Sequence, residues 1–169
     1  MKAVRLMTRY KAWSDGVLFS MLRELPHDEL VKPRPTRFGN MLHTMNHVFV
    51  IDCVFKAHLL GEAHGFTARN TPRPAPLHAL RDAMTTMDAW YVDYAEGLSA
   101  QQLDEVVEFD FIGGGRGAMT RREMLLHVVN HGTYHRGFVG DMLYQAGVDP
   151  TATDLTVFVR DVAGASLRG

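Results

Sequence analysis

The sequence predicts an all-α protein: a four-helix bundle with a small β-hairpin insertion before the last long helix. Three observations carry that expectation. Apolar residues recur at three- and four-residue spacing in four long segments. Connections containing proline and glycine separate those segments. One short stretch instead alternates polar and apolar residues around a glycine cluster. Four long helices on short-to-medium connections pack most simply as a bundle.

Each element has its own signal. Leu6, Met7, Tyr10, Trp13, Val17, Leu18, Met21, Leu22 and Leu25 define an amphipathic first helix that stops before Pro26. "HDELVKPRPTR" is polar and proline-rich and reads as a loop. A second helix runs from Phe38 to about Leu60 and is closed by Gly61; its middle is apolar nearly all round, so burial on more than one side is expected. "GFTARNTPRPAP" is a further loop, and the third helix, from Leu77, ends near Gly97. "EVVEFDFIGGGRGAM" has the alternation of a two-stranded hairpin, with the glycines at its turn. In "TRRE", Thr120 and Glu123 have capping-box spacing and open a fourth helix that continues to about Ala146. Beyond Thr151 a short helix is expected, followed by a frayed tail.

Length and composition bound the function. At 169 residues the chain suits a single domain, residues 1–169, with a sizeable core. Hydrophobic residues make up 46% and charged residues 22%, a soluble globular profile. The net charge of −1 is spread without a basic stripe, so no nucleic-acid partner is expected. No apolar run approaches the ~20 residues of a membrane span, and the basic start has no signal-peptide core, so no membrane partner is expected either. Cys53 is the only cysteine; it excludes an internal disulfide framework and suits a cytoplasmic location.

The chemistry concentrates in "HVVNHGTYHRG", His127 to Gly137, where His127, His131 and His135 fall four residues apart. On the fourth helix the expected core stripe runs through Met124, Val128, His131, His135, Phe138 and Met142, within roughly 80° of arc at ~100° per residue. His131 and His135 thus occupy adjacent core positions, where unpartnered imidazoles would be costly. A divalent metal would satisfy both, because neutral imidazole is a common ligand; zinc, nickel and iron all suit such a site. A third ligand is available on the second helix from "HTMNH". His47 aligns there with Ile51, Val54 and His58, and His43 lies one turn earlier; spacing alone does not choose between them. "GGGRG" matches neither a phosphate-binding nor a dinucleotide-binding spacing, and no HExxH motif occurs.

In this order and combination, "RYKAWSDGVLFSMLRELPHDEL", "TMNHVFVID" and "HVVNHGTYHRG" resemble the DinB-like family, the DinB/YfiT superfamily of metal-binding four-helix bundles, over nearly the whole chain. The resemblance implies a divalent metal held by His47, His131 and His135. It implies two departures as well: Tyr134 stands where many members carry a further histidine, and Phe138 where many carry glutamine. Some members are thiol-dependent transferases or isomerases that use low-molecular-weight thiols such as bacillithiol or mycothiol, and members often form homodimers. The resemblance therefore points to a metal-dependent enzyme of transferase or hydrolase type, acting on a small molecule. The metal would lower the pKa of a water or thiol that it binds. The other reading is a non-catalytic metal-binding or stress-response protein, whose structural metal would need a fourth protein ligand. Four further residues have candidate roles. His43 and His127 could donate to the ligands or touch substrate, though packing is the simpler role. Asp52 could orient a ligand or substrate, or serve a helix cap or an arginine. Arg136 could bind an anionic substrate or form a structural salt bridge.

Overall fold

The computed structural model describes residues 1–164. Its four long helices are α1 (Lys2–Arg23), α3 (Met41–Leu60), α4 (Leu77–Gly97) and α6 (Arg121–Gln145). Shorter elements lie between and after them: α2 (His27–Val31), α5 (Ala100–Leu103), the strands β1 (Val106–Asp110) and β2 (Arg116–Thr120), and α7 (Leu155–Phe158). A single π-helical stretch, Val159–Ala163, follows α7. In the bundle α1 packs on α4 and α6, and α3 packs on α6 and α4. The hairpin leans on α3 and α6. The expected frayed tail lies outside the described residues.

The ends of the helices are set by local chemistry. Thr120 and Glu123 form the expected capping box: Thr120 Oγ1 accepts from the Glu123 amide at 3.2 Å, and Glu123 Oε2 accepts from the Thr120 amide at 2.7 Å. Asn40 caps α3 by accepting from the His43 amide at 2.8 Å. The helix consequently starts at Met41, three residues later than the apolar pattern suggests, and Phe38 belongs to the preceding loop. Arg5 spans the bundle and donates to the carbonyls of Ala95, Glu96 and Leu98, satisfying the open end of α4. The segment read as one loop after Pro26 contains the single turn of α2, and Ser99 with Gln102 forms a second capping box that starts α5.

β1 and β2 pair antiparallel from Val106↔Thr120 to Asp110↔Arg116. Their turn requires glycine: Gly113, Gly114 and Gly115 have φ between 95° and 98°, in the region side chains disfavour. Phe109 is the strand residue that points into the bundle.

The core has two large apolar clusters and a smaller third of Tyr10, Val129, Phe158 and Ala163. One apolar cluster joins Ile51, Phe55, Met87, Tyr91, Met124, Leu125 and Val128. A second joins Leu18, Leu22, Met41, Met45, Met84, Val139 and Met142. Between them lies a polar layer of Lys11, Asp15, Asp52, Asp88 and Arg136, all buried. The face of α1 that is buried therefore differs from the expected stripe. Val4, Thr8, Lys11, Asp15, Leu18 and Leu22 point inward, and Met7, Trp13 and Val17 lie at the rim. On α6 the buried arc is wider than expected and includes Leu125, Val129, Gly132, Arg136, Val139 and Leu143, while His131 and Phe138 sit at its edge.

Candidate metal centre

His47 on α3 and His131 and His135 on α6 meet in the middle layer of the bundle. One ring nitrogen from each lies within 4.8 Å of the others. The ring centroids are 4.9 Å apart for His47 and His131, 4.7 Å for His47 and His135, and 4.5 Å for His131 and His135. Helical spacing brings the α6 pair together, and the packing of α3 on α6 supplies the third ring.

The protonation pattern of His47 follows from its partner. Its Nδ1 lies 2.6 Å from the Arg69 carbonyl oxygen, which can only accept, so Nδ1 carries the proton. In the neutral ring Nε2 then presents a lone pair, and it faces His131 Nε2 at 3.0 Å. Phe38 stacks on the His47 ring at 4.2 Å and fixes its plane. The Nδ1 atoms of His131 and His135 are buried without a hydrogen-bond partner.

Burial disfavours protonation of all three rings. Burial lowers the pKa of His131 to about 2, reinforced by His135 and His47. Burial, then His47 and Arg37, lower that of His135 to about 4. Burial also lowers that of His47, against the opposing hydrogen bond to Arg69. Three neutral imidazoles with converging nitrogens and orphaned ring atoms fit a divalent cation. Nitrogens bonded at ~2.0–2.1 Å to one tetrahedral zinc stand about 3.3 Å apart, close to the His47–His131 separation of 3.0 Å.

The centre opens into a cavity of about 610 Å³ between α3, α6 and the hairpin. Among the described residues, no cysteine, aspartate or glutamate lines it. The DinB family model matches residues 1–162. The chain belongs to the DinB family. Protein DinB of Bacillus subtilis (strain 168) is similar to it, 27% identical over 156 residues, which cover 89% of this chain and 90% of the relative.

The remaining candidate residues of this DinB-family chain separate into two groups. His127 lines the cavity, packed on Phe55 at 4.4 Å and on His131 at 5.8 Å. His43 does not reach it; its Nδ1 sits 3.2 Å from Asn40 Nδ2 at the start of α3. Asp52 and Arg136 also lie away from the cavity, in the ion cluster behind the histidines. Lys11 Nζ is 2.9 Å from Asp15 Oδ2, 2.8 Å from Asp52 Oδ2 and 2.5 Å from Asp88 Oδ1. Arg136 Nη1 donates to Asp15 Oδ1 at 2.8 Å. Asp52 is thus paired with a lysine rather than an arginine or a helix end, and Arg136 forms the structural salt bridge. The Lys11–Asp52 contact is an ion pair without hydrogen-bond alignment, since neither Asp52 oxygen has a hydrogen-bond partner.

Within this cluster burial opposes ionisation and the cations restore it unevenly. Burial raises Asp52 to about 6 and Asp88 to about 7 despite Lys11. For Asp15, Lys11 and Arg136 outweigh burial and hold the carboxyl below its usual range. Burial would lower Lys11, but its three carboxylates raise it well above the ordinary lysine value. Gly132 makes room for the cluster: a Cβ there would lie 3.1 Å from Arg136 Nη1 and 3.4 Å from Lys11 Cε. The Cys53 thiol is pushed up to about 11 by burial, which disfavours a nucleophilic thiolate.

Sequence reasoning missed Arg37 and Arg69 as neighbours of the centre because loops carry no periodicity, and Phe38 because the apolar pattern places it in the helix that follows. It missed the Lys11 cluster although a signal was present. Lys11 and Asp15 fall in register with Val4, Leu18 and Leu22, where an amphipathic α1 would place apolar residues.

Proposed function

We propose that this protein is a metal-dependent enzyme of thiol-dependent transferase or hydrolase type. In this reading His47, His131 and His135 hold one divalent ion, with zinc or nickel the first candidates and iron the next. The observation that carries the proposal is the convergence of three neutral imidazoles at the wall of an open cavity that offers no fourth anionic ligand. A structural metal would instead favour a closed set of four protein ligands. When bound, the ion would supply Lewis acidity and lower the pKa of a water or thiol.

The protein's own groups prepare that chemistry. The Arg69 carbonyl holds the His47 tautomer, so that Nε2 is free to ligate. Phe38 covers the opposite face of the ring and limits water access. Burial lowers the pKa of all three rings, which weakens proton competition with a cation. His127 is the cavity-lining group next to His131 and is the candidate contact for substrate. The relative from Bacillus subtilis is named Protein DinB, a name that carries no reaction. The proposal extends to a cytoplasmic homodimer, and sedimentation showing monomer at all concentrations would remove that part.

Cobalt substitution tests the open coordination. The visible spectrum of protein loaded with stoichiometric cobalt should change when a small thiol such as L-cysteine is added. An unchanged spectrum at full occupancy would mark a filled site and favour the structural reading.

A further inference from the structure

The cavity beside the histidines is long as well as large. His47 and His58 both line it and lie on the same helix. His58 follows His47 by eleven positions along α3, which at ~1.5 Å per residue is about 16 Å of groove. Between those two histidines the walls are mainly apolar, Ile51, Val54 and Phe55 from α3 and Phe109, Phe111 and Met119 from the hairpin side, with the His127 ring packed on Phe55. At the far end burial and neighbouring His64 lower the pKa of His58, against the opposing charge of Asp110.

The charge is confined to the other end. Arg37 and Arg69 both line the cavity near the centre. The Arg69 carbonyl lies 2.6 Å from His47 Nδ1, and Arg37 precedes Phe38, whose ring stacks on His47. Both side chains are exposed, and neither has an ion-pair partner among the described residues. The Arg37 guanidinium rests 5.9 Å from the ring centre of Phe38. Several other arginines are paired, Arg5 and Arg9 with Glu96, Arg34 with Glu29, and Arg136 with Asp15, whereas Arg73, which does not line the cavity, also has no ion-pair partner among the described residues. With no carboxylate on the lining, nothing in the cavity answers these two cations. Arg69 also lends its carbonyl to His47, so the loop that carries one guanidinium is tied to the centre.

We infer that the substrate is an elongated amphiphile: an extended apolar or arylalkyl body with an anionic head, of the carboxylate class, seated between Arg37 and Arg69. The inference rests on the reading of the histidine centre as an open catalytic site, and it specifies what that site receives. The apolar body lies along α3 toward His58, excluded from water by Phe55, Phe109 and Phe111. The head reaches the guanidiniums, whose fork geometry suits a carboxylate. A cationic head would meet two like charges, and a neutral head would leave the arginines unanswered.

Binding by isothermal titration calorimetry tests this with zinc-loaded wild-type protein and three probes: decanoate, 1-decanol and acetate. Decanoate should bind about tenfold more tightly than 1-decanol, the scale of one charge-assisted contact at an exposed arginine. Acetate should bind far more weakly than decanoate, because it has no body to fill the groove. A bound zinc ion could by itself favour a carboxylate, so the Arg37→Gln Arg69→Gln variant separates the two sources. In that variant decanoate should fall to within about threefold of 1-decanol, with zinc content unchanged. Equal binding of decanoate and 1-decanol by the wild type would overturn the inference. So would acetate matching decanoate, or a full carboxylate preference surviving loss of both arginines. Zinc content measured on the same samples reports separately on the centre: protein that takes up no zinc yet prefers decanoate would refute the metal reading and leave the groove assignment standing.

Discussion

A histidine becomes a ready ligand when its proton is placed elsewhere, and the Arg69 carbonyl does that for His47. At the same scale the charges behind the centre follow a different logic. Lys11 is fully buried yet strongly paired, so its charge is retained, and the cost falls on the carboxylates that share it. Asp88 shows this most clearly, with burial raising its pKa to about 7. In the unfolded chain an aspartate titrates near its ordinary value of ~3.9. Between those values the folded protein holds a proton that the unfolded chain has released. The stability contributed by this proton is therefore complete below the unfolded pKa and is lost as pH rises through about 7. Between about pH 5 and about pH 8, wild-type protein should lose about 2–3 kcal/mol more unfolding free energy than Asp88→Asn. Urea denaturation at both pH values measures it. Parallel losses in the two proteins would show that Asp88 does not titrate in this range.

Among the elements, α6 carries most of the site, and its start fixes where its histidines fall. Thr120 and Glu123 satisfy each other's amides at the junction with β2, which anchors the helix to the hairpin. Thr120→Ala should cost about 1 kcal/mol in urea unfolding, because one amide of the first turn loses its acceptor. No measurable change would mean that water replaces the cap. The elements were largely legible in the sequence, since amphipathic spacing, the capping box and the glycine turn each express a local rule. His131 and His135 were legible for the same reason: four-residue spacing on a helix places them side by side. Spacing left His47 and His43 open, and the packing of α3 on α6 distinguishes them by bringing His47 to the pair and leaving His43 at the Asn40 cap. Phe38 was assigned to α3, but Asn40 caps the helix and leaves Phe38 free to stack on His47. Arg37 and Arg69 were not legible, because their place depends on how two loops fold back across the bundle. The Lys11 cluster was hidden by an apolar stripe drawn on the neighbouring face of α1. That stripe leaves Lys11 and Asp15 without a role, whereas in the fold they find partners on α3, α4 and α6.

Across the whole molecule, a polar layer separates two apolar clusters, with the ion network behind and the histidines facing the cavity. The ion network joins α1, α3, α4 and α6 through their middles. The histidines join α3 to α6 a second time, at the wall of the cavity. Such a division lets the bundle keep its fold while one side remains open for a ligand. No helix among the described residues is long and apolar enough to cross a membrane. The account depends on one claim: that His47, His131 and His135 together bind a metal ion. Elemental analysis of purified, untagged protein tests it most directly, with wild type, His127→Ala and His131→Ala His135→Ala measured side by side after reconstitution with zinc or nickel. Near-stoichiometric metal in wild type and His127→Ala, and its loss from the double variant, is the predicted result. Wild type that takes up no metal, or a double variant that keeps full occupancy, would contradict it.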